Sequence, residues 1–184
     1  MTSLRLLSSL VLVVALAACD SAGPEPVPGP EPGPASASIS IELGTITANG
    51  NCDSSSNPGD YQFRIVVSDL GNNPLETMDL PNGATYGEYS VPTLVSLFAG
   101  NAITVGRTVA LQQPRAEGSG FAISLSASEW DSATTRDSEM NDLTRTRSHP
   151  FSAGQFVNVL GTQTVRVRGS SDCDVELDYT VTVQ

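Results

Sequence analysis

Five carboxylates fall between Glu129 and Asp142: Glu129, Asp131, Asp137, Glu139 and Asp142. A calcium ion asks for hard oxygens at that density, six to eight of them at about 2.3–2.6 Å. The same run also reads as a solvated acidic loop, because Arg136, Arg145 and Arg147 lie within or just after it and can neutralise it from inside the chain. Other chemistry has less to stand on. His149 is the only histidine, and with Pro150 beside it in a polar stretch it reads as a surface-loop residue. No serine sits in a Gly-x-Ser-x-Gly elbow, and no histidine is spaced for a triad. A zinc hydrolase needs several histidines or thiolates, and the chain has none to spare. A carboxylate pair of the glycosidase kind is decided by distance in space, so a carboxylate-based hydrolase stays open. One tryptophan and four tyrosines nevertheless offer few platforms for sugar rings. Trp130 fits an anchor at a strand end, or a contact residue exposed among the acids. Gly118-Ser119-Gly120 reads as a hairpin connection rather than a phosphate cradle.

The three cysteines separate by context. Arg5 supplies a positive start, Leu6 to Leu16 forms a short apolar run, and small residues follow; this is the pattern of a signal peptide over residues 1–18. The run is far short of the ~20 apolar residues that span a bilayer. Leu16-Ala17-Ala18-Cys19 resembles a bacterial lipobox. That resemblance implies a lipidated Cys19 as the mature N-terminus, anchored in the cell envelope outside the cytoplasm, with the membrane and its face left open. Cys52 and Cys173 remain. In an oxidising compartment an even remainder points to a disulfide. It would close a loop of about 120 residues, for which chain entropy gives roughly 4–5 kcal/mol at most.

Between anchor and domain, residues 19–36 place proline at 24, 26, 28, 30, 32 and 34. Proline at alternate positions forbids a helix or a central strand and favours polyproline II. At about 3.1 Å per residue, such a tether reaches roughly 50 Å. Charge narrows the partners further. The chain carries twenty acids, nine arginines and no lysine, for a net charge of −11. Loss of Arg5 with the signal leaves eight arginines against twenty acids, or −12. That field repels phosphate backbones, which excludes nucleic acid as a partner and restricts the membrane contact to the lipid anchor.

The residues that position this chemistry alternate with period two. Ile39, Ile41 and Leu43 are followed by Ile46 across Gly44, a spacing that predicts a bulge. Tyr61, Phe63, Ile65 and Val67 alternate, as do Phe121, Ile123, Leu125 and Ala127. Val175, Leu177, Tyr179, Val181 and Val183 face one way while Asp174, Glu176, Asp178, Thr180 and Thr182 face the other. Weaker strands are predicted near 86–91, 102–112, 155–160 and 163–168. Turn residues at Asn57-Pro58-Gly59-Asp60, Gly71-Asn72-Asn73-Pro74 and Pro81-Asn82-Gly83 punctuate them. One wet and one buried face per strand predicts an all-β domain over 37–184, an antiparallel β-sandwich of about eight strands.

Strand count and acidic loops together resemble C2 domains. Glu129, Asp131, Asp137 and Asp142 match the third-loop acids of that family, ending in Asn141-Asp142-Leu143. Asp53 and Asp60, in Cys52-Asp53 and Gly59-Asp60-Tyr61, match the first-loop acids. The resemblance implies calcium held by Asp53, Asp60, Glu129, Asp131, Asp137 and Asp142. It departs from lipid-binding members in lacking a lysine-rich strand. The function this implies is non-catalytic: a membrane-anchored extracytoplasmic binding or structural module. The alternatives are a metal-independent accessory component of an envelope or surface assembly, binding a protein or glycan through loops, and the carboxylate-based hydrolase.

Overall fold

The four strands with clean alternation each turn their apolar set inward. The computed structural model describes residues 35–50, 52, 57–89, 94–132, 135–136, 140–170 and 172–184. The signal peptide, Cys19, the tether as far as residue 34, Asp53 and Asp137 lie outside the described residues. The strands are β1 (Ser36–Ala48), β2 (Gly59–Asp69), β3 (Pro74–Leu80), β4 (Val95–Leu97), β5 (Ala102–Pro114), β6 (Gly120–Ser132), β7 (Thr135–Arg136), β8 (Leu143–Ser152), β9 (Gln155–Phe156), β10 (Thr162–Arg168) and β11 (Asp174–Val183). Eight of these have seven residues or more, the number the alternation predicts.

They form two antiparallel sheets. One has the order β10-β11-β1-β5; the other runs β3-β2-β6-β8-β9, with β4 beside β2 and β7 beside β6. The fold is therefore all-β, an antiparallel β-sandwich. Phe63, Ile65 and Val67 of β2 stand opposite Ala127, Leu125 and Ile123 of β6, all fully buried. From the other sheet, Ile39, Ile41, Leu43, Val175, Leu177 and Tyr179 meet them in one core. Each large aliphatic side chain buried there contributes about 1.5–3 kcal/mol.

The predicted bulge lies where Gly44 stands. Ladder register shifts between Leu43 and Ile46, so the inward set passes from odd to even positions without turning Ile46 to solvent. A Cβ at Gly44 would come within 3.1 Å of the Asp178 carbonyl oxygen, which favours glycine there.

Five readings need correction. Residues 86–89 form a turn, not a strand; the nearby strand is Val95–Leu97. The strand predicted near 155–160 ends at Phe156, and the chain turns away through positive φ at Asn158 (57°). Gly118-Ser119-Gly120 is no hairpin: it carries the chain from β5 in one sheet to β6 in the other. Gly120 is held at φ 147°, and a Cβ there would collide with the His149 carbonyl. β3 and β8 lie where the alternation predicts no strand. His149, finally, is fully buried within β8 rather than on a surface loop. The inward face of β8 runs Leu143, Arg145, Arg147, His149 and Phe151, the first four opposite Ala127, Leu125, Ile123 and Phe121 of β6. Its middle is polar, and that hides the strand from a reading based on apolar alternation.

Candidate functional site

β2 begins where β6 ends. Tyr61 pairs with Glu129 across the ladder, which brings the first acidic segment beside the third. The backbone N–H of Asp60 donates to Oε1 of Glu129 at 3.0 Å. Glu129 is not a loop residue: it lies in β6, fully buried, and its own N–H donates to the Met140 carbonyl at 3.0 Å. Asp60 accepts a short hydrogen bond from the Ser96 hydroxyl. The same end carries the disulfide: Cys52 is bonded to Cys173, closing 121 residues, and the Tyr61 hydroxyl donates to Cys52 Sγ at 3.0 Å. The bonded cysteines lie just beyond paired strand ends, Ala48 of β1 and Val175 of β11.

Strand alternation sends the neighbouring residues Gln62, Arg64 and Trp130 to the outer face of this sheet. There the connection 81–89 covers them. Fully buried Gln62 donates to the Glu88 carbonyl at 2.6 Å and accepts from the Gly87 N–H at 3.0 Å. Arg64 makes a two-pronged contact to Asp79 at 2.7 and 2.9 Å and lies 5.2 Å from the Tyr86 ring centroid. The Tyr86 hydroxyl donates to Asp142 at 2.8 Å. Arg136 stands 3.8 Å from Asp142, donates to the Gly87 carbonyl at 2.9 Å, and lies 4.8 Å from the centre of Trp130. The Tyr89 ring packs 5.4 Å from that of Trp130. Trp130 is an anchor at the strand end, as one reading of its sequence position expects.

These contacts fix the charge states. The Arg64 guanidinium, against some burial, holds the Asp79 carboxyl below its ordinary range. Burial, followed by the hydrogen bond to Asp142, pushes the Tyr86 hydroxyl well up, so it stays a donor. Asp142, a third-loop acid in the calcium reading, thus faces Tyr86 and Arg136. Asp131 is exposed. Among the described residues no three of His, Cys, Asp and Glu are grouped to hold a metal ion. Asp60 and Glu129 are brought together; Asp142 is drawn off to the outer face. A calcium cage at this end would need Asp53 and Asp137, both outside the described residues.

A second polar centre lies at His149, away from the acidic end. The Nδ1 of His149 is 3.0 Å from the Val157 carbonyl, and its Nε2 is 2.7 Å from the Tyr179 hydroxyl. A carbonyl only accepts, so Nδ1 carries the proton and the Tyr179 hydroxyl donates to Nε2. The ring stacks on Phe121 at 4.8 Å. Burial, reinforced by the Arg147 charge, lowers the His149 pKa, although the Val157 carbonyl works the other way. Neutral His149 thereby bridges the two sheets and pins the loop after β8. The signal that could have found it is period two: Leu143, His149 and Phe151 share parity.

No family model and no curated protein matches the chain. Among solved structures it is similar to human GIVD cytosolic phospholipase A2 in complex with methyl gamma-linolenyl fluorophosphonate inhibitor and terbium chloride, at 9% identity and a TM-score of 0.41. The likeness covers 83% of this chain and 18% of that one, so the chain spans less than a fifth of that protein's length.

Proposed function

We propose that the chain is a lipid-anchored lipoprotein of the cell envelope, whose C2-like β-sandwich serves outside the cytoplasm as a non-catalytic binding or structural module. The observation that carries this reading is the division of the cysteines. Cys52 is bonded to Cys173, which suits an oxidising compartment and leaves Cys19 as the one thiol for a lipid. The proline-alternating segment after Cys19 then serves as spacer between membrane and domain.

The non-catalytic part rests on the state of the acids. A carboxylate-based hydrolase needs one carboxyl held protonated near neutral pH by a raised pKa. Of the acidic-loop carboxylates, Asp142 accepts from Tyr86 and faces Arg136, and Asp60 accepts from Ser96; Asp79, which lines a concavity with Glu76, is bound to Arg64 and shifted downward. The partner of such a module is a protein or glycan of the envelope.

The test is fractionation. Cys19→Ser should move the chain from the membrane fraction to the soluble one; retention in the membrane would contradict the anchor. A second reading adds calcium, favoured by the ladder that pairs Tyr61 with Glu129 and so brings the two acidic segments side by side. Chelator should then lower the melting temperature and Asp131→Asn should remove that sensitivity; an unchanged melting temperature would contradict a calcium site at this end.

A further inference from the structure

A cavity lined by β8 and the loop that follows it has no part in the acidic end. It lies on the flank of β8 and measures about 770 Å3, within the ~300–1,000 Å3 range of small-molecule sites. Its walls include Phe151, Phe156, Val159 and Leu160, with Arg115 and Arg147 beside them. Phe151 and Phe156 are core residues; Leu160 is 90% exposed, a large apolar side chain turned to solvent at the mouth. The loop that forms the wall is set in place: His149 holds the Val157 carbonyl, and the Val157 N–H donates to the Pro150 carbonyl at 2.9 Å.

Charge marks this cavity out. Of the three concave regions described, one pairs Glu76 and Asp79 with Arg107, and another pairs Asp172 and Asp174 with Arg166 and Arg168. The flank cavity is lined by two arginines and no acid, in a chain with twenty acids and nine arginines. Among the described residues, Arg147 donates only to the Thr164 carbonyl, at 3.2 Å, and the Arg115 side chain has no partner. Glu117, nearby in sequence to Arg115, turns its carboxylate to the Ala153 N–H at 2.9 Å. Gln155 and Asn158 add amide donors at the wall.

We propose that this cavity binds a carboxylate carried on an apolar body, of the medium-chain fatty acid class, with the carboxylate on Arg115 and Arg147 and the chain along Phe151, Phe156 and Leu160. A guanidinium fork matches a carboxylate in shape and charge. The apolar wall supplies the rest of the contact. The proposal gives a ligand to the binding module inferred above but does not depend on its anchor, and the experiment separates the two by using chain that lacks the lipid.

Full-length chain carrying Cys19→Ser is titrated with sodium decanoate below its micellar concentration, with decanol and acetate as comparisons, by calorimetry. The expected result is saturable one-to-one decanoate binding, with decanol weaker by about tenfold, the loss expected of one charge-assisted hydrogen bond. Acetate should be weaker still. Arg115→Gln and Leu160→Asp, both at exposed positions, should each weaken decanoate by about tenfold without changing the melting temperature. If Arg147→Gln fails to fold, these two carry the test. Absence of saturable decanoate binding would overturn the proposal. So would equal affinity for decanol, which makes the cavity merely apolar, or for acetate, which makes it merely cationic.

Discussion

Arg64 and Arg136, over the outer face of β2 and β6, each face a carboxylate and an aromatic ring. Arg115 and Arg147, on the flank of β8, stand beside Phe151 and Phe156 with no acid among the residues that line their cavity. The first region is rich in charge along the sequence yet closed in space, since Asp142 is claimed by Tyr86 and Arg136. The second is inconspicuous in the sequence yet leaves positive charge open to solvent. Density of charged residues along a chain therefore says little about where unneutralised charge lies; strand parity and the covering loop decide that.

Separating the supports of the two regions has the largest expected effect. Cys52→Ala with Cys173→Ala should cost about 2–5 kcal/mol in denaturant unfolding. Amide exchange should quicken around Ala48, Tyr61 and Val175 while the Val157 amide keeps its protection; uniform loss across both regions would break the comparison. His149→Ala is next. It leaves a cavity beside Phe121 and takes the His149 partner from the buried Tyr179 hydroxyl and the half-buried Val157 carbonyl. The expected cost is about 2–4 kcal/mol, with quickened exchange confined to 150–160.

The pH dependence has a definite sign in both regions. His149 has a folded pKa below its ordinary 6.5, so the unfolded chain takes up the proton first. Its contribution is present above about pH 6.5 and is lost as pH falls through the folded value. Asp79, also lowered, keeps its contribution above its ordinary 3.8 and loses it below. Melting temperature followed from pH 7.5 to 3 should therefore fall in two steps, and His149→Leu should remove the upper one. A single step in the native chain that His149→Leu leaves untouched would contradict the buried neutral imidazole. The smallest effect belongs to Asp142→Asn. Its side chain is 54% exposed and its ion pair is long, so the loss should stay under about 1 kcal/mol.

Much of the fold was legible because four strands expose one parity to water and the other to the core. Gly44 announced its bulge by shifting that parity by one. β8 was not legible: Arg145 and Arg147 occupy inward positions near the edge of the sandwich, where long stems can lie against the core and heads reach solvent. That breaks the apolar pattern without breaking the strand. β3 begins with proline and carries Glu76 and Asp79, so its composition resembles a loop. At the acidic end, Asp60 and Glu129 do meet, but register put the Glu129 side chain into the core and left Asp142 on the other face. Sequence gives the acids and their spacing; only the pairing of Tyr61 with Glu129 tells which of them converge.

The contrast between closed and open arginines can be read directly from guanidinium proton exchange by NMR of the isotopically labelled chain. The Nε–H of Arg64, which donates to Asp79 at 2.7 Å, should exchange with water markedly more slowly than that of Arg115 at the same pH and temperature. Comparable rates for the two, whether both fast or both slow, would contradict the account of one region as internally neutralised and the other as open to an anion.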